Sequence, residues 1–176
     1  GFGLGTGWLS IIFSTICYVG LVNAVNMADG KNGLVLGLCV GWLAILVWRG
    51  GSDLHPFLLL FMAGVLPLLA FNLRGKLFLG DGGTYGFATA IGLVSVMIYN
   101  RSMAGVSPGL LADDIIAMFF VPVADSFRLT FVRLKRGQSP MTADRDHLHH
   151  ILQDRFGWPR GLLIYQGIAF SIALGW

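Results

Sequence analysis

The sequence predicts an all-α, polytopic membrane protein of about six transmembrane helices, and three observations predict it. Hydrophobic residues make up 55% of the chain against 12% charged, with a mean hydropathy of +0.73, well outside the balance of a soluble domain. Six apolar segments of 16 to 18 residues can be drawn, at the short end of the lengths that cross a bilayer as helix. Ten of the twelve Lys and Arg residues fall on alternate links between those segments. Lipid offers backbone amides no partners, and the two-residue alternation of a barrel strand is missing, so the segments read as helices.

Taken in order, the expected spans are 6–22, 33–48, 56–71, 83–99, 115–132 and 161–176. Cys17 and Cys39 lie inside the first two, with no metal-type spacing, and read as small buried hydrophobes without a disulfide. Pro67 and Pro122 interrupt the third and fifth, which membrane helices tolerate better than soluble ones. Short Gly-rich links join the spans, so neighbours run antiparallel, and no internal repeat stands out. Residues 1–176 read as one integral membrane domain, and 133–160 as a cytoplasmic basic, His-containing loop.

Charge sets the orientation. The links after spans one, three and five hold ten cations, from Lys31 through Arg74 and Lys76 to the group Arg128–Arg160, while Arg49 and Arg101 alone occupy the other side. The positive-inside rule puts the first set in the cytoplasm. The net charge of +3 is concentrated in one loop, which points to phosphates or anionic headgroups and away from nucleic acid. All nine acids are Asp, suiting short-range contacts more than solvated helix faces.

The same three links hold nearly every chemically suggestive residue. In the first, Asn23, Asn26 and Asp29 recur at three-residue steps along one helix face, followed by Asn32. Such a set holds a cation or a polar substrate, or Asp29 or Asn32 simply caps span two. The second runs from Asn72 to Thr84 and contains Gly80-Asp81-Gly82-Gly83. Glycines let backbone approach a ligand, the Asp81 carboxylate suits Mg²⁺, and the helix start near Thr84 suits phosphate; an ordinary turn has the same composition. The third carries Asp125, for which Arg128 is the natural partner, then Arg133, then His147, His149 and His150. Neither a helix nor an extended strand aims all three histidines at one point without a turn.

Three stretches, Asn23–Gly30 (NAVNMADG), Phe78–Thr84 (FLGDGGT) and Ser139–His150 (SPMTADRDHLHH), closely resemble motifs of the polyprenyl-phosphate N-acetylhexosamine-1-phosphate transferases, in the same order and spacing. The resemblance implies transfer of N-acetylhexosamine 1-phosphate, N-acetylglucosamine 1-phosphate in the nearest branch, from a UDP-N-acetylhexosamine to undecaprenyl phosphate, with release of UMP. It implies Mg²⁺, with Mn²⁺ as a substitute, bound at Asp81, and Asp29 and Asp81 as the catalytic acids. It further implies substrate contacts from Asn23, Asn26, Asn32, Asn72, Arg133, His147, His149 and His150, placed at the cytoplasmic face of a bacterial inner membrane, and it admits a homodimer. Asn32 stands where the family's motif carries a second acid, and an adjacent Asp pair of an upstream cytoplasmic loop has no counterpart here; Asp113-Asp114 falls on the outer side. The expectation is therefore the C-terminal part of such a transferase, inactive alone. Two other readings are an inactive homologue that binds polyprenyl phosphate, for which Asn32 argues, and an ion transporter, disfavoured because the polar groups gather at one membrane face.

Overall fold

The computed structural model describes residues 7–106, 109–139 and 146–175, without the side chain of Ser10. Seven α-helices are present among them: α1 (Trp8–Ala28), α2 (Leu34–Arg49), α3 (His55–Leu73), α4 (Gly80–Met103), α5 (Ala112–Lys135), α6 (Leu148–Phe156) and α7 (Arg160–Leu174), with a single 3-10 turn (Ser52–Leu54) leading into α3. The described residues contain no strand. Segments Ile11–Ala28, Ser52–Leu73, Gly80–Met103 and Ala112–Lys135 are long and apolar enough to cross a membrane, while α2 and α7 are shorter apolar helices of 16 and 15 residues. The chain is thus an all-helical, polytopic membrane protein.

Each expected apolar segment coincides with a helix, but several helices run further than their apolar stretch. α1 continues six residues past Val22, carrying Asn23 and Asn26 on its last two turns. α6 was not expected at all and gives the third loop its own secondary structure.

The core sits on α2. Its residues Leu34, Leu38, Trp42, Leu43 and Leu46 are fully buried, with α3, α4 and α7 packed around it. The outer helices turn large apolar side chains outward, as a lipid solvent allows; Leu60 on α3 is 74% exposed and Phe127 on α5 is 71% exposed. Small residues bring α7 onto α2. A Cβ at Gly41 would lie 1.9 Å from the Phe170 ring, so only glycine admits that aromatic. One turn away, Gln166 Nε2 donates to the Leu34 carbonyl at 2.8 Å.

Pro122 breaks the hydrogen-bond ladder of α5, since it has no N–H for the carbonyl of Met118. The indole of Trp42 supplies the missing donor, with Nε1 2.7 Å from that carbonyl oxygen, and its ring meets Phe119 edge-on at 4.7 Å. A buried carbonyl is satisfied, and α2 is tied to α5 at a defined height.

The two ends of the bundle differ. At one end Arg49 pairs with Asp114 at 3.2 Å and Arg101 with Asp53. Asp114 also accepts the Leu111 N–H at 2.8 Å, capping α5. The other end carries the three motif-bearing links.

Candidate active site

Asp29 closes α1 as its C-cap and lies half-buried beside the start of α4. The Thr84 hydroxyl is 3.0 Å from Asp29 Oδ2 and 2.8 Å from the Gly80 carbonyl, so its one proton serves either acceptor. Burial holds the Asp29 carboxyl above the ordinary carboxylate range; the Thr84 bond works against this and the charge of Asp81 adds to it. Asp81 lies exposed in the first turn of α4, reached through Gly80 at φ 63°, a left-handed conformation that an L side chain resists. Asn26, one turn before Asp29, donates from Nδ2 to the Tyr85 hydroxyl at 3.2 Å. Its Oδ1 is buried with no partner among the described residues.

Asn72, at the end of α3, holds the first two links together. Its Oδ1 accepts the N–H of Gly33, itself at φ 85°, and its Nδ2 donates to the Leu77 carbonyl at 2.8 Å. Both ends of the amide are engaged within the protein. Asn23 is exposed and donates to the Val19 carbonyl of its own helix at 2.8 Å, and Asn32 is exposed beside Gly75.

The third loop reaches the same place. The Ser139–His150 motif lies partly outside the described residues, since 140–145 are not among them. His147 precedes α6 in extended conformation, and that turn brings the three rings together. His147 stacks on His149 with centroids 5.5 Å apart, and His149 meets His150 at 4.2 Å. His149 is only 1% exposed and lies directly over Gly30, where a Cβ would sit 2.0 Å from its Nε2. Neither of its ring nitrogens has a hydrogen-bond partner among the described residues. Burial, with His150 and His147 alongside, pushes the His149 imidazole down to about 3, so it is neutral at physiological pH.

Arg133 is buried on α5, on the same helix stripe as Asp125 and Leu129. Asp125 pairs with Arg128, as the three-residue spacing suggested, and also takes His147 Nδ1 at 3.1 Å. The wider role of Asp125 was not legible in its spacing, nor was the Asn26–Tyr85 contact, because both partners are far apart in the chain.

The donor set fits a hard divalent cation. Asp29 and Asp81 are two carboxylates near enough for one charge to act on the other. Mg²⁺ is commonly held by one or two carboxylates and completed by substrate phosphates. The described residues contain no group of three or more His, Cys, Asp or Glu side chains that would cage a metal by itself.

Residues 2–99 match the family model described as glycosyl transferase family 4. The chain is 32% identical over 140 residues to the undecaprenyl-phosphate alpha-N-acetylglucosaminyl 1-phosphate transferase of Escherichia coli strain K12, covering 74% of this chain and 37% of that protein. It is 33% identical over 162 residues to the phospho-N-acetylmuramoyl-pentapeptide-transferase of Shouchella clausii, covering 89% of this chain and 46% of the relative. The transferase of the same description from Moorella thermoacetica is 30% identical over 176 residues, covering 96% of this chain and 52% of its own length. The chain therefore spans about half the length, or less, of the curated relatives it matches. No solved structure matches it.

Proposed function

The chain belongs to glycosyl transferase family 4, and from that footing we propose that its protein transfers N-acetylhexosamine 1-phosphate from a UDP-sugar to undecaprenyl phosphate. N-acetylglucosamine is the sugar we favour, in keeping with the activity for which the Escherichia coli relative is named. The observation that carries the reading is the convergence of three distant links: Thr84, on the same opening turn of α4 as Asp81, meets Asp29, and His149 is seated on Gly30.

The reaction forms a P–O bond between the lipid phosphate and the sugar-bearing phosphorus, and breaks the bond from that phosphorus to UMP. Phosphoryl transfer asks for positioning and charge neutralisation more than for covalent help from the protein. Mg²⁺, held by Asp81 with Asp29, supplies neutralisation of the phosphate charge when bound. Thr84 orients the Asp29 carboxylate when its proton is turned there and not to the Gly80 carbonyl. His149, neutral and buried, offers a ring N–H to a phosphate or ribose oxygen. Its two unpartnered nitrogens, like the unpartnered Oδ1 of Asn26, support a polar ligand at this end of the bundle. Arg133 adds fixed positive charge for the UDP pyrophosphate. The acceptor phosphate stays at the cytoplasmic surface of a bacterial inner membrane while its tail stays in lipid, a placement supported by the excess of Lys and Arg on these links.

Asp81→Asn in the full-length protein tests the metal role. It keeps size and an oxygen but removes a charge, and is expected to abolish Mg²⁺-dependent UMP release. Near-normal release would take Asp81 out of that role.

A further inference from the structure

Asp125 has no part in that chemistry, yet it meets Arg128, His147 and the Leu148 N–H at once. It lies within a segment long and apolar enough to cross a membrane, 8% exposed, where an acid is costly and needs partners. Its Oδ1 accepts from Arg128 Nε at 3.1 Å and Nη2 at 2.8 Å. Its Oδ2 lies 3.1 Å from His147 Nδ1. Both oxygens lie within reach of the Leu148 N–H, at 3.2 and 3.1 Å.

The last contact is a helix cap supplied from another helix. The opening N–H groups of α6 need acceptors, and His147, the residue at its N-cap, gives no side-chain hydrogen bond. Asp125 provides that acceptor from α5. Arg128 extends the clasp by donating to the Asp146 carbonyl, and Arg136 holds the Asp146 carboxylate at 3.1 Å. The chain is thus pinned to α5 at three consecutive residues where it enters α6. The next residue, His149, rests on Gly30.

We propose that Asp125 is the positioning residue of the histidine cluster, starting α6 from α5 and holding His147 in the tautomer with its proton on Nδ1. A carboxylate can only accept, so its contact with Nδ1 requires an N–H there. In the neutral ring this leaves the lone pair on Nε2, and the orientation of the ring is set along with it, as outer partners do for ligating histidines. A charged contact with no effect on His147 would be an ordinary intramembrane ion pair between Asp125 and Arg128.

The consequence for catalysis rests on the transferase reading. Asp125→Asn retains an oxygen to cap α6 but presents an amide N–H where carboxylate oxygen stood. Either Arg128 or His147 then faces a donor, and His147 relaxes by moving its proton to Nε2. In the full-length protein in membranes, Asp125→Asn is expected to lower kcat/KM for the UDP-sugar about 100-fold, the scale of a misplacement near 1 Å. Membrane insertion should stay close to wild type. In a His147→Ala background the same substitution should cost under about threefold, since residues acting through one another are not additive. An equal loss in both backgrounds overturns the proposal.

Histidine nitrogen NMR of the wild-type protein supplies a test that does not depend on turnover. A His147 signal protonated at Nδ1, assigned by its loss in His147→Gln, is the expected result. A His147 with bare Nδ1 overturns the proposal. Absence of transfer from every UDP-sugar, with the Nδ1 proton present, would remove the transferase reading while leaving the Asp125 clasp in place.

Discussion

Adding one methyl group at Gly30 should disable the site without removing any polar atom. Gly30 does not adopt a left-handed backbone, so alanine is allowed there by the chain itself. The new Cβ would stand 2.0 Å from His149 Nε2, 2.8 Å from Cε1 and 3.0 Å from Cδ2. Ordinary contact is about 3.5 Å, so the ring must retreat by about 1.5 Å. It has little room to do so, being 1% exposed with His147 at 5.5 Å and His150 at 4.2 Å. Overpacking of this kind costs about 1 to 3 kcal/mol in stability. A shift of this size in a substrate-binding group lowers turnover on the order of 100-fold. The assay is UMP release from a UDP-sugar by the full-length protein in membranes, with Gly64→Ala as control, because nothing lies within 4 Å of a Cβ there. The decisive comparison is Gly30→Ala in a His149→Ala background, where the penalty should largely vanish. Full activity in Gly30→Ala alone, or an undiminished penalty without the imidazole, would refute the placement of His149 as a working part of the site.

Two further outcomes follow from the packing and the charge states. Trp42→Phe keeps an aromatic ring against Phe119 but leaves the Met118 carbonyl, already deprived of its helical donor by Pro122, without a partner. It should cost about 1 to 3 kcal/mol, measured as a lower unfolding midpoint in detergent, and a midpoint equal to wild type would contradict the bond. His149 has a folded-state value lowered from 6.5 to about 3, so the unfolded chain binds its proton first as pH falls. Stability from this group is present above about pH 6.5 and declines below it, by about 2 kcal/mol at pH 5. The difference between wild type and His149→Gln should therefore shrink on acidification, and a pH-independent difference would contradict a buried neutral imidazole.

Much of the fold was legible because lipid imposes one rule: apolar stretches of sufficient length become helices. That rule reports where hydrocarbon ends, not where a helix ends. α1 therefore runs past Val22 to Ala28, carrying Asn23 and Asn26 on its last two turns with Asp29 as its C-cap. The Asp125–Arg128 pair was legible for the same reason, as neighbours on one helix face. α6 was not legible, since its cap comes from Asp125 on another helix and its own N-cap residue gives no signal. The stacking of His149 on Gly30, and the use of Asn72 to hold Gly33 and Leu77, are tertiary contacts with no local periodicity behind them. Motif position suggested a substrate contact for Asn72; that its amide also joins two links is a tertiary role with no signal in the sequence.

The central claim is that three links meet to form a phosphosugar transfer site. Exchange of labelled UMP into UDP-N-acetylglucosamine, by the full-length protein in membranes supplied with undecaprenyl phosphate, tests it most directly. Label is expected in the UDP-sugar only when Mg²⁺ and the lipid phosphate are both present. No exchange with any UDP-N-acetylhexosamine under those conditions would contradict it.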